Sequence, residues 1–369
     1  MRIFVNMNQE SNKNNKKSGT KRRTTAKKNA KSKSRHRIGL GWLLAIVSCL
    51  AIMGAVAGFC LQSHRGDETW VYIPTNASAE QIKDSLTLHL GAAEANRVMM
   101  LWRLQGGSAD NAHGAYKIPH GQRSIITARR IKNRMQTPVK IAWHDIRTMD
   151  QLAKTITRNT ECSPEEFLAA CNDVLKHKGY KQEEYPAAFI PDSYEVYWTA
   201  SGQQIVDRLL KYRDNFWNNE RIQKAHNLGL TPMQVATVAS IIEEETAKSD
   251  ERPKVARLYL NRLKRGMKLQ ADPTVKFAAG RFDLRRITAQ YLATESPYNT
   301  YRVAGLPPGP IRVASKTAID DVLNAPMHDY LYMCAKEDFS GYHNFASDYP
   351  THQTNARRYQ AELNKRGIR

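Results

Sequence analysis

A stretch of 24 residues without a charged side chain, residues 38–61, constrains this chain more than any other feature. As an α-helix it would span the roughly 30 Å hydrocarbon core of a bilayer with some tilt. A cleavable signal peptide has a shorter apolar region, about 7–15 residues, followed by a small-residue cleavage site. A buried core helix is the other interpretation. The neutral length favours an uncleaved transmembrane helix over both.

Most of the positive charge lies before this stretch. The formal net charge is +21, and residues 1–37 supply 13 Lys and Arg against one acid, Glu10. After the stretch, Arg65 is balanced at once by Asp67 and Glu68. The positive-inside rule therefore predicts a single-pass membrane protein with a cytoplasmic tail and a body outside the cytoplasm. Anionic inner-leaflet lipids are the expected partner of the tail, and no nucleic acid is expected to bind it.

Three cysteines follow the stretch: Cys162, Cys171 and Cys334. An oxidising compartment would favour a Cys162–Cys171 disulfide. However, Ser163-Pro164-Glu165-Glu166 is typical of a capping box at a helix start, with Pro at the first helical position. Cys171 would then lie about 12 Å along the axis from the cap, beyond disulfide reach. We expect no bridge between these two cysteines.

The body after the stretch begins with strand–turn–helix units. A strand at residues 70–74 precedes a helix that starts near Ser78, with Ile82, Leu86 and Leu90 at four-residue spacing. Similar units follow the strands at 116–119 and 139–143. Units of this size pack helices on one face of a short sheet. We expect an α+β module over residues 66–160 and a mainly helical domain over residues 161–369.

A helix beginning at Thr231-Pro232 carries three consecutive carboxylates, Glu243, Glu244 and Glu245. At 100° per residue, Glu244 points away from the apolar stripe and should be solvated, whereas Glu243 and Glu245 flank the stripe on opposite sides. They cannot converge on one glycosidic bond as the paired carboxylates of most glycosidases do, so one would act alone. Small residues border Glu243 and would leave a groove for a substrate. A charged helix face without chemistry is the alternative.

Three segments rich in polar and turn-forming residues follow this helix, at 269–275, 296–301 and 305–311. In the last, two consecutive prolines between glycines favour a rigid, extended backbone. Each segment alone is typical of a structural turn. Their clustering after a carboxylate-bearing helix predicts a cleft walled by loops.

These motifs together resemble the endolytic murein transglycosylase family, YceG-like (MltG-type), of membrane-anchored bacterial cell-wall enzymes. The order and spacing agree over residues 231–355, and weaker similarity covers most of the body, including a region that looks like the family's LysM-like module. The motifs that carry the match are ASIIEEET at 239–246, NRL at 261–263, GMKLQ at 266–270, DPTV at 272–275, SPYNTY at 296–301 and GLPPGPI at 305–311. The chain departs from the usual pattern at His144-Asp145, Phe277 and His352-Gln353.

The resemblance implies a lyase that cleaves the β-1,4 bond between N-acetylmuramic acid and N-acetylglucosamine within nascent glycan strands, leaving a 1,6-anhydro end and terminating or trimming the strands. By motif position Glu243 would be the single catalytic acid and base. Neither a metal nor a cofactor is implied, and a peptidoglycan synthase is a further candidate partner. The residues expected to hold the glycan are Gln270, Asp272, Thr274, Tyr298, Asn299 and Tyr301.

Three other functions remain open at this point. A true hydrolase would use the same site but give reducing ends. A membrane-anchored protein that binds peptidoglycan without cleaving it would need no catalytic Glu243. A membrane-tethered nucleic-acid binder would depend on residues 1–37 and lose affinity steeply with salt.

Overall fold

The computed structural model describes residues 39–284 and 287–367. The predicted basic tail lies outside the described residues. Helix α1, Leu40–Leu61, coincides with the uncharged stretch and is the one helix in the described ranges long and apolar enough to cross a membrane. Its 22 residues would extend about 33 Å. The described residues from Ala57 onward form one compact unit.

The first hydrophobic core of this unit contains two strands and three helices. In chain order the elements are β1 (Thr69–Ile73), α2 (Ala79–Leu90), α3 (Ala92–Leu104), β2 (Gly114–Ile118) and α4 (Ser124–Lys132). β1 and β2 pair antiparallel, with Val71 opposite Tyr116. Ser78 caps α2 in a reciprocal capping box with Gln81, and Ile82 is fully buried, as its spacing predicts.

His64 holds the start of this unit against α3. Its Nδ1 lies 3.0 Å from Glu94 Oε2 and its Nε2 lies 2.9 Å from the Asp67 carbonyl oxygen. Burial of the ring lowers the pKa of His64, but these contacts outweigh burial and raise the pKa above the ordinary value of 6.5. A raised pKa in the folded state adds stability below the unfolded pKa and loses it as the pH rises through the folded pKa.

We therefore expect His64→Gln to reduce the free energy of unfolding most below the ordinary pKa of 6.5, and progressively less as the pH rises through the raised pKa of His64. Urea unfolding of the full chain in detergent, followed by circular dichroism at several pH values, measures this difference. An equal loss at every pH would show that the charge on His64 makes no contribution.

The second core joins residues on both sides of position 160. Its elements are β3 (Val139–Ala142), α5 (Met149–Thr157), α6 (Pro164–His177), a 3₁₀ segment (Gln182–Ala188), β4 (Ser193–Val196) and α7 (Gly202–Phe216). β3 pairs antiparallel with β4 rather than with the first two strands, so the three predicted strands do not share a sheet. The boundary predicted at residue 160 stays a prediction.

The second core confirms the expectation for two of the cysteines. Ser163 caps α6 by accepting a hydrogen bond from the backbone N–H of Glu166, and Cys162 and Cys171 are both free and buried. The Glu166 carboxylate does not close a capping box, because it accepts a hydrogen bond from the backbone N–H of Gly202 on α7 instead.

The third core surrounds one central helix, α9. Its elements are α8 (Asn219–Asn227), α9 (Pro232–Glu245), α10 (Arg252–Lys264), α11 (Asp272–Ala278), α12 (Ala289–Leu292), α13 (Lys316–Leu323), the antiparallel strands β5 (Tyr332–Ala335) and β6 (His343–Ala346), and α14 (Tyr349–Lys365). Thr231 and Gln234 form the capping box that starts α9, and every residue from Val235 to Ile242 is buried. Neighbouring elements therefore cover more of the α9 surface than the single apolar stripe that the sequence predicted.

The three loop-like segments differ from expectation in two respects. The Asp-Pro-Thr-Val motif is the first turn of α11 rather than a loop, with Pro273 in the first turn, where its missing N–H costs little. The segment at 305–311 packs against the 3₁₀ segment so closely that a Cβ on Gly309 would lie 1.8 Å from the Glu183 carbonyl oxygen. Much of this segment lines a groove of about 730 Å³ beside the start of α9.

Candidate active site

The three carboxylates at the end of α9 point to three different surroundings. Glu243 accepts a hydrogen bond of 3.0 Å from the backbone N–H of Ser315 and lies 3.6 Å from Arg312 Nε. Glu244, predicted to be solvated, is only 18% exposed and pairs with Arg312 at 2.7 Å and Arg147 at 3.1 Å. That prediction was wrong because the chain folds two arginines over the outer face of α9. Glu244 lines a small cavity of about 170 Å³ beside Arg147, and Glu245 lines a separate, larger one.

The cavity has a volume of about 280 Å³ and lies where α9, α10, α11 and the β5–β6 hairpin meet. Tyr259 and Arg262 contribute from α10, and His343 contributes from β6. Three of the residues predicted to bind substrate line it as well: Gln270, Asp272 and Tyr301. The structure therefore brings half of the predicted substrate-binding set together with Glu245 rather than with Glu243.

Glu245 is a carboxyl group that can hold a proton near neutral pH. Burial raises its pKa, the nearby Asp272 carboxylate raises it further, and the charge of His343 partly opposes them, which leaves a pKa of about 7. Its Oε2 atom is buried and accepts no hydrogen bond from any part of the chain that the structure describes. A half-buried carboxyl group with a free oxygen is suited to giving and taking a proton.

The floor of the cavity is fixed by a buried guanidinium. Arg262 is 7% exposed and donates hydrogen bonds to the carbonyl oxygens of Leu331 (2.6 Å), Leu269 (2.8 Å) and Lys268 (3.1 Å). It also donates to Gln270 Oε1 at 3.2 Å. These bonds hold Gln270 in the left-handed region at φ +51, which is uncommon for a residue with a side chain. Strain of this kind persists only where surrounding contacts enforce it.

Asp272 and Tyr301 form a pair at the mouth of the cavity. The Tyr301 hydroxyl donates a hydrogen bond of 2.6 Å to Asp272 Oδ1. Burial, together with the neighbouring carboxylate, raises the pKa of Tyr301, so the phenol stays neutral and keeps its proton for this bond. The pair gives the site an aromatic face next to a carboxylate.

The other three predicted substrate-binding residues have internal contacts. Thr274 is fully buried and bonds to the Ala271 carbonyl oxygen and the Thr300 hydroxyl. Asn299, also fully buried, donates to the carbonyl oxygens of Leu292 and Thr294 and accepts from the backbone N–H of Tyr301. The ring of Tyr298 packs against Phe277 with centroids 4.7 Å apart. These contacts shape the loops that carry Gln270, Asp272 and Tyr301.

The small residues beside Glu243 do not leave a groove for a substrate. Ser240 accepts a hydrogen bond of 3.0 Å from the backbone N–H of Ile311, and Ala236 and Ala239 are buried. The chain's own segment fills the space that the small side chains leave. Glu243 therefore lies against protein, and its catalytic role stays a prediction that the geometry does not favour.

Sequence reasoning assigned no role in the site to Tyr259 or Arg262, and it left the roles of His343 and His352 undecided. Tyr259 reads as an ordinary member of an amphipathic helix, Arg262 belongs to the NRL motif without an indicated role, and His343 lies nearly 100 residues after α9 in the chain. Only the packing of β6 against α10 brings His343 to the cavity. No local pattern could have indicated this.

The fold and the cavity define an α+β protein whose candidate site is built around one half-buried, protonatable carboxyl group. A sequence model described as the YceG-like family matches residues 71–358. The chain belongs to this family, which confirms the resemblance found in its motifs.

Two curated relatives carry the name endolytic murein transglycosylase. The protein from Bacillus subtilis strain 168 is 36% identical over 136 residues, which are 37% of each chain. The protein from Streptococcus pneumoniae strain D39 is 29% identical over 218 residues, which are 51% of this chain and 39% of the relative. The matched segments therefore span well under half of the length of these relatives.

A solved structure shows the same fold. The crystal structure of a YceG-like protein from Listeria monocytogenes gives a TM-score of 0.51 at 24% identity, covering 78% of this chain and 99% of that one. At this identity the likeness bears on the fold alone.

Proposed function

We propose that this protein is an endolytic peptidoglycan lytic transglycosylase. It cleaves the β-1,4 bond between N-acetylmuramic acid and N-acetylglucosamine inside a glycan strand and leaves a 1,6-anhydro end. The observation that carries this proposal is the cavity with Glu245, whose pKa is about 7. Family membership and the names of the curated relatives support it.

Glu245 rather than Glu243 performs the chemistry in this proposal. The protonated carboxyl group donates its proton to the glycosidic oxygen as the bond from that oxygen to C1 breaks. The C6 hydroxyl of the same muramic acid residue then attacks C1, and its proton passes to the Glu245 carboxylate. The proton lost in the first step is recovered in the second, and no water is consumed.

Gln270, Asp272 and Tyr301 contact the glycan in this scheme. The amide of Gln270 offers hydrogen bonds to sugar hydroxyl or acetamido groups, and the Tyr301 ring offers an apolar face. Thr274, Tyr298 and Asn299, which were expected to touch substrate, support the loops instead. Their internal hydrogen bonds and ring packing favour this assignment.

Helix α1 anchors the protein in the inner membrane, with residues 1–37 in the cytoplasm and the body in the periplasm. The excess of Lys and Arg before α1 supports this orientation. The tail binds anionic lipid headgroups, and the body meets glycan strands close to the synthases that make them. The strand–helix–helix–strand unit from β1 to β2 serves as the LysM-like module and binds glycan.

A hydrolase is a second candidate, because Asp272 lines the same cavity as Glu245 and provides a second carboxylate. Digestion of peptidoglycan in ¹⁸O-enriched water by the full chain in detergent separates the two activities. A transglycosylase releases anhydro-ended fragments without heavy oxygen, whereas a hydrolase incorporates it at each new reducing end. Binding to peptidoglycan without any released fragment would instead identify a non-catalytic anchor and overturn the proposal.

The pH dependence of the activity should reflect the protonation of Glu245. A general acid must be protonated, so the rate should fall as the pH rises through about 7. Asp272→Asn removes a charge that raises the pKa of Glu245, and we expect it to move this alkaline limb to lower pH by about 0.5–1 unit. Initial rates of fragment release between pH 5 and 9 measure the shift. A lower rate with an unmoved limb would mean that Asp272 does not influence the acid.

A further inference from the structure

The Glu251 carboxylate connects Thr246, the residue after Glu245, to His343 on the β5–β6 hairpin. Its carboxylate is 5% exposed and accepts hydrogen bonds from the Thr246 hydroxyl (3.1 Å) and from the backbone N–H of His343 (2.7 Å). The imidazole Nδ1 of His343 lies 2.8 Å from the same carboxylate. Because Thr246 directly follows Glu245, this one side chain fixes the position of His343 relative to Glu245.

His343 lines the cavity, and only one of its two ring nitrogens is held by a neighbouring side chain. Nδ1 is held by Glu251, and Nε2 has no hydrogen-bond partner within residues 39–284 and 287–367. Burial lowers the pKa of His343, but the hydrogen bond and charge of Glu251, with the charge of Glu245, outweigh burial and leave the pKa above 6.5. Glu251 and Glu245 therefore favour the positively charged form of the ring.

Charged and titratable groups from each surrounding element face Glu245. Asp272 acts to keep the proton on Glu245, and His343 and Lys276 act to remove it. Tyr259 and Tyr301 remain neutral because burial raises the pKa of each phenol. These groups are Tyr259 and Arg262 on α10, Asp272 and Lys276 on α11, Tyr301 in the loop at 296–301, Cys334 on β5, whose thiol pKa is raised by burial, and His343 on β6.

We propose that His343, held by Glu251, is a positioning residue that controls the protonation of Glu245. The inference rests on the proposed function of Glu245. In the first step, the imidazolium favours transfer of the proton to the leaving oxygen, because it stabilises the carboxylate that remains. Asp272 has the opposite effect, because its charge keeps the proton on Glu245. Asp272 on α11 and His343 on β6 together set the pH range in which one carboxyl group can both give and take a proton.

The test is a direct titration of Glu245 in the full chain in detergent, alongside the pH–rate profile. Glutamate labelled with ¹³C at the carboxyl carbon gives the pKa by NMR, and the Glu245→Gln spectrum assigns the resonance. We expect His343→Gln to raise the pKa of Glu245, and the alkaline limb of the rate, by about 0.5–1 unit. Glu251→Gln should shift both in the same direction. His343→Lys keeps a positive charge and should leave the pKa near that of the unmodified chain.

His226→Gln, on the exposed surface of α8, is the matched control and should change neither quantity. An unchanged or lowered pKa of Glu245 in both His343→Gln and Glu251→Gln would overturn the inference. The titration needs no turnover, so it separates the two proposals. A shifted pKa with full activity in Glu245→Gln would retain the coupling and reject Glu245 as the acid.

Discussion

Replacing Glu245 with Gln should abolish the release of anhydro-ended fragments, by a factor of about 10³ or more, and leave the fold intact. The amide occupies the same volume but cannot donate the proton that the leaving oxygen requires. Glu243→Gln should retain most of the activity, because Glu243 accepts a backbone hydrogen bond from Ser315 outside the cavity. Initial rates on labelled peptidoglycan, with the full chain in detergent, give both values.

The two variants control for each other, since each removes one carboxylate from the same turn of α9. Circular dichroism and thermal unfolding establish that both chains are folded. An inactive Glu243→Gln protein beside an active Glu245→Gln protein would return the catalytic role to Glu243. Loss of activity in neither variant would place the chemistry elsewhere.

Arg262→Met should cause the largest loss of stability of any single change around the site. The substitution keeps an unbranched apolar stem but removes the guanidinium, which leaves the carbonyl oxygens of Leu331, Leu269 and Lys268 without their donor. Buried acceptors left unpaired cost about 1–3 kcal/mol each, and partial access of water reduces the sum. We expect the free energy of unfolding to fall by about 3–4 kcal/mol.

Arg265→Met is the matched control, because Arg265 lies one turn further along the chain at the exposed end of α10. Urea unfolding of both variants measures the difference. The activity of Arg262→Met should also fall, since Gln270 loses the contact that holds it at positive φ. Equal losses of stability in the two variants would contradict the role assigned to Arg262.

Local sequence patterns predicted where helices and strands begin better than which of them pack or pair with each other. The starts of α2, α6 and α9 follow from Ser78, Ser163 and Thr231, because a cap is a contact between residues three apart. The pairing of β3 with β4 was missed, since it depends on which surfaces are left to bury after the first core has formed. Helical geometry also placed Glu243 and Glu245 correctly on opposite flanks of α9.

The choice between those flanks could not be made from one helix. Small residues beside Glu243 indicated an open groove, but a small side chain accommodates a neighbouring segment as readily as a ligand. Ser240 accepts a hydrogen bond from the backbone N–H of Ile311, so the segment at 305–311 closes the groove. The cavity beside Glu245 is lined in part by His343, which lies on the β5–β6 hairpin, far from α9 in the sequence.

The central claim is that Glu245 is the single acid of a lytic transglycosylase. Mass spectrometry of the fragments released from peptidoglycan by the unmodified full chain, and by its Glu245→Gln and Glu243→Gln variants, tests it most directly. We expect 1,6-anhydro-muramic acid ends from the unmodified chain and from Glu243→Gln, and none from Glu245→Gln. Anhydro ends produced undiminished by folded Glu245→Gln protein would contradict the claim.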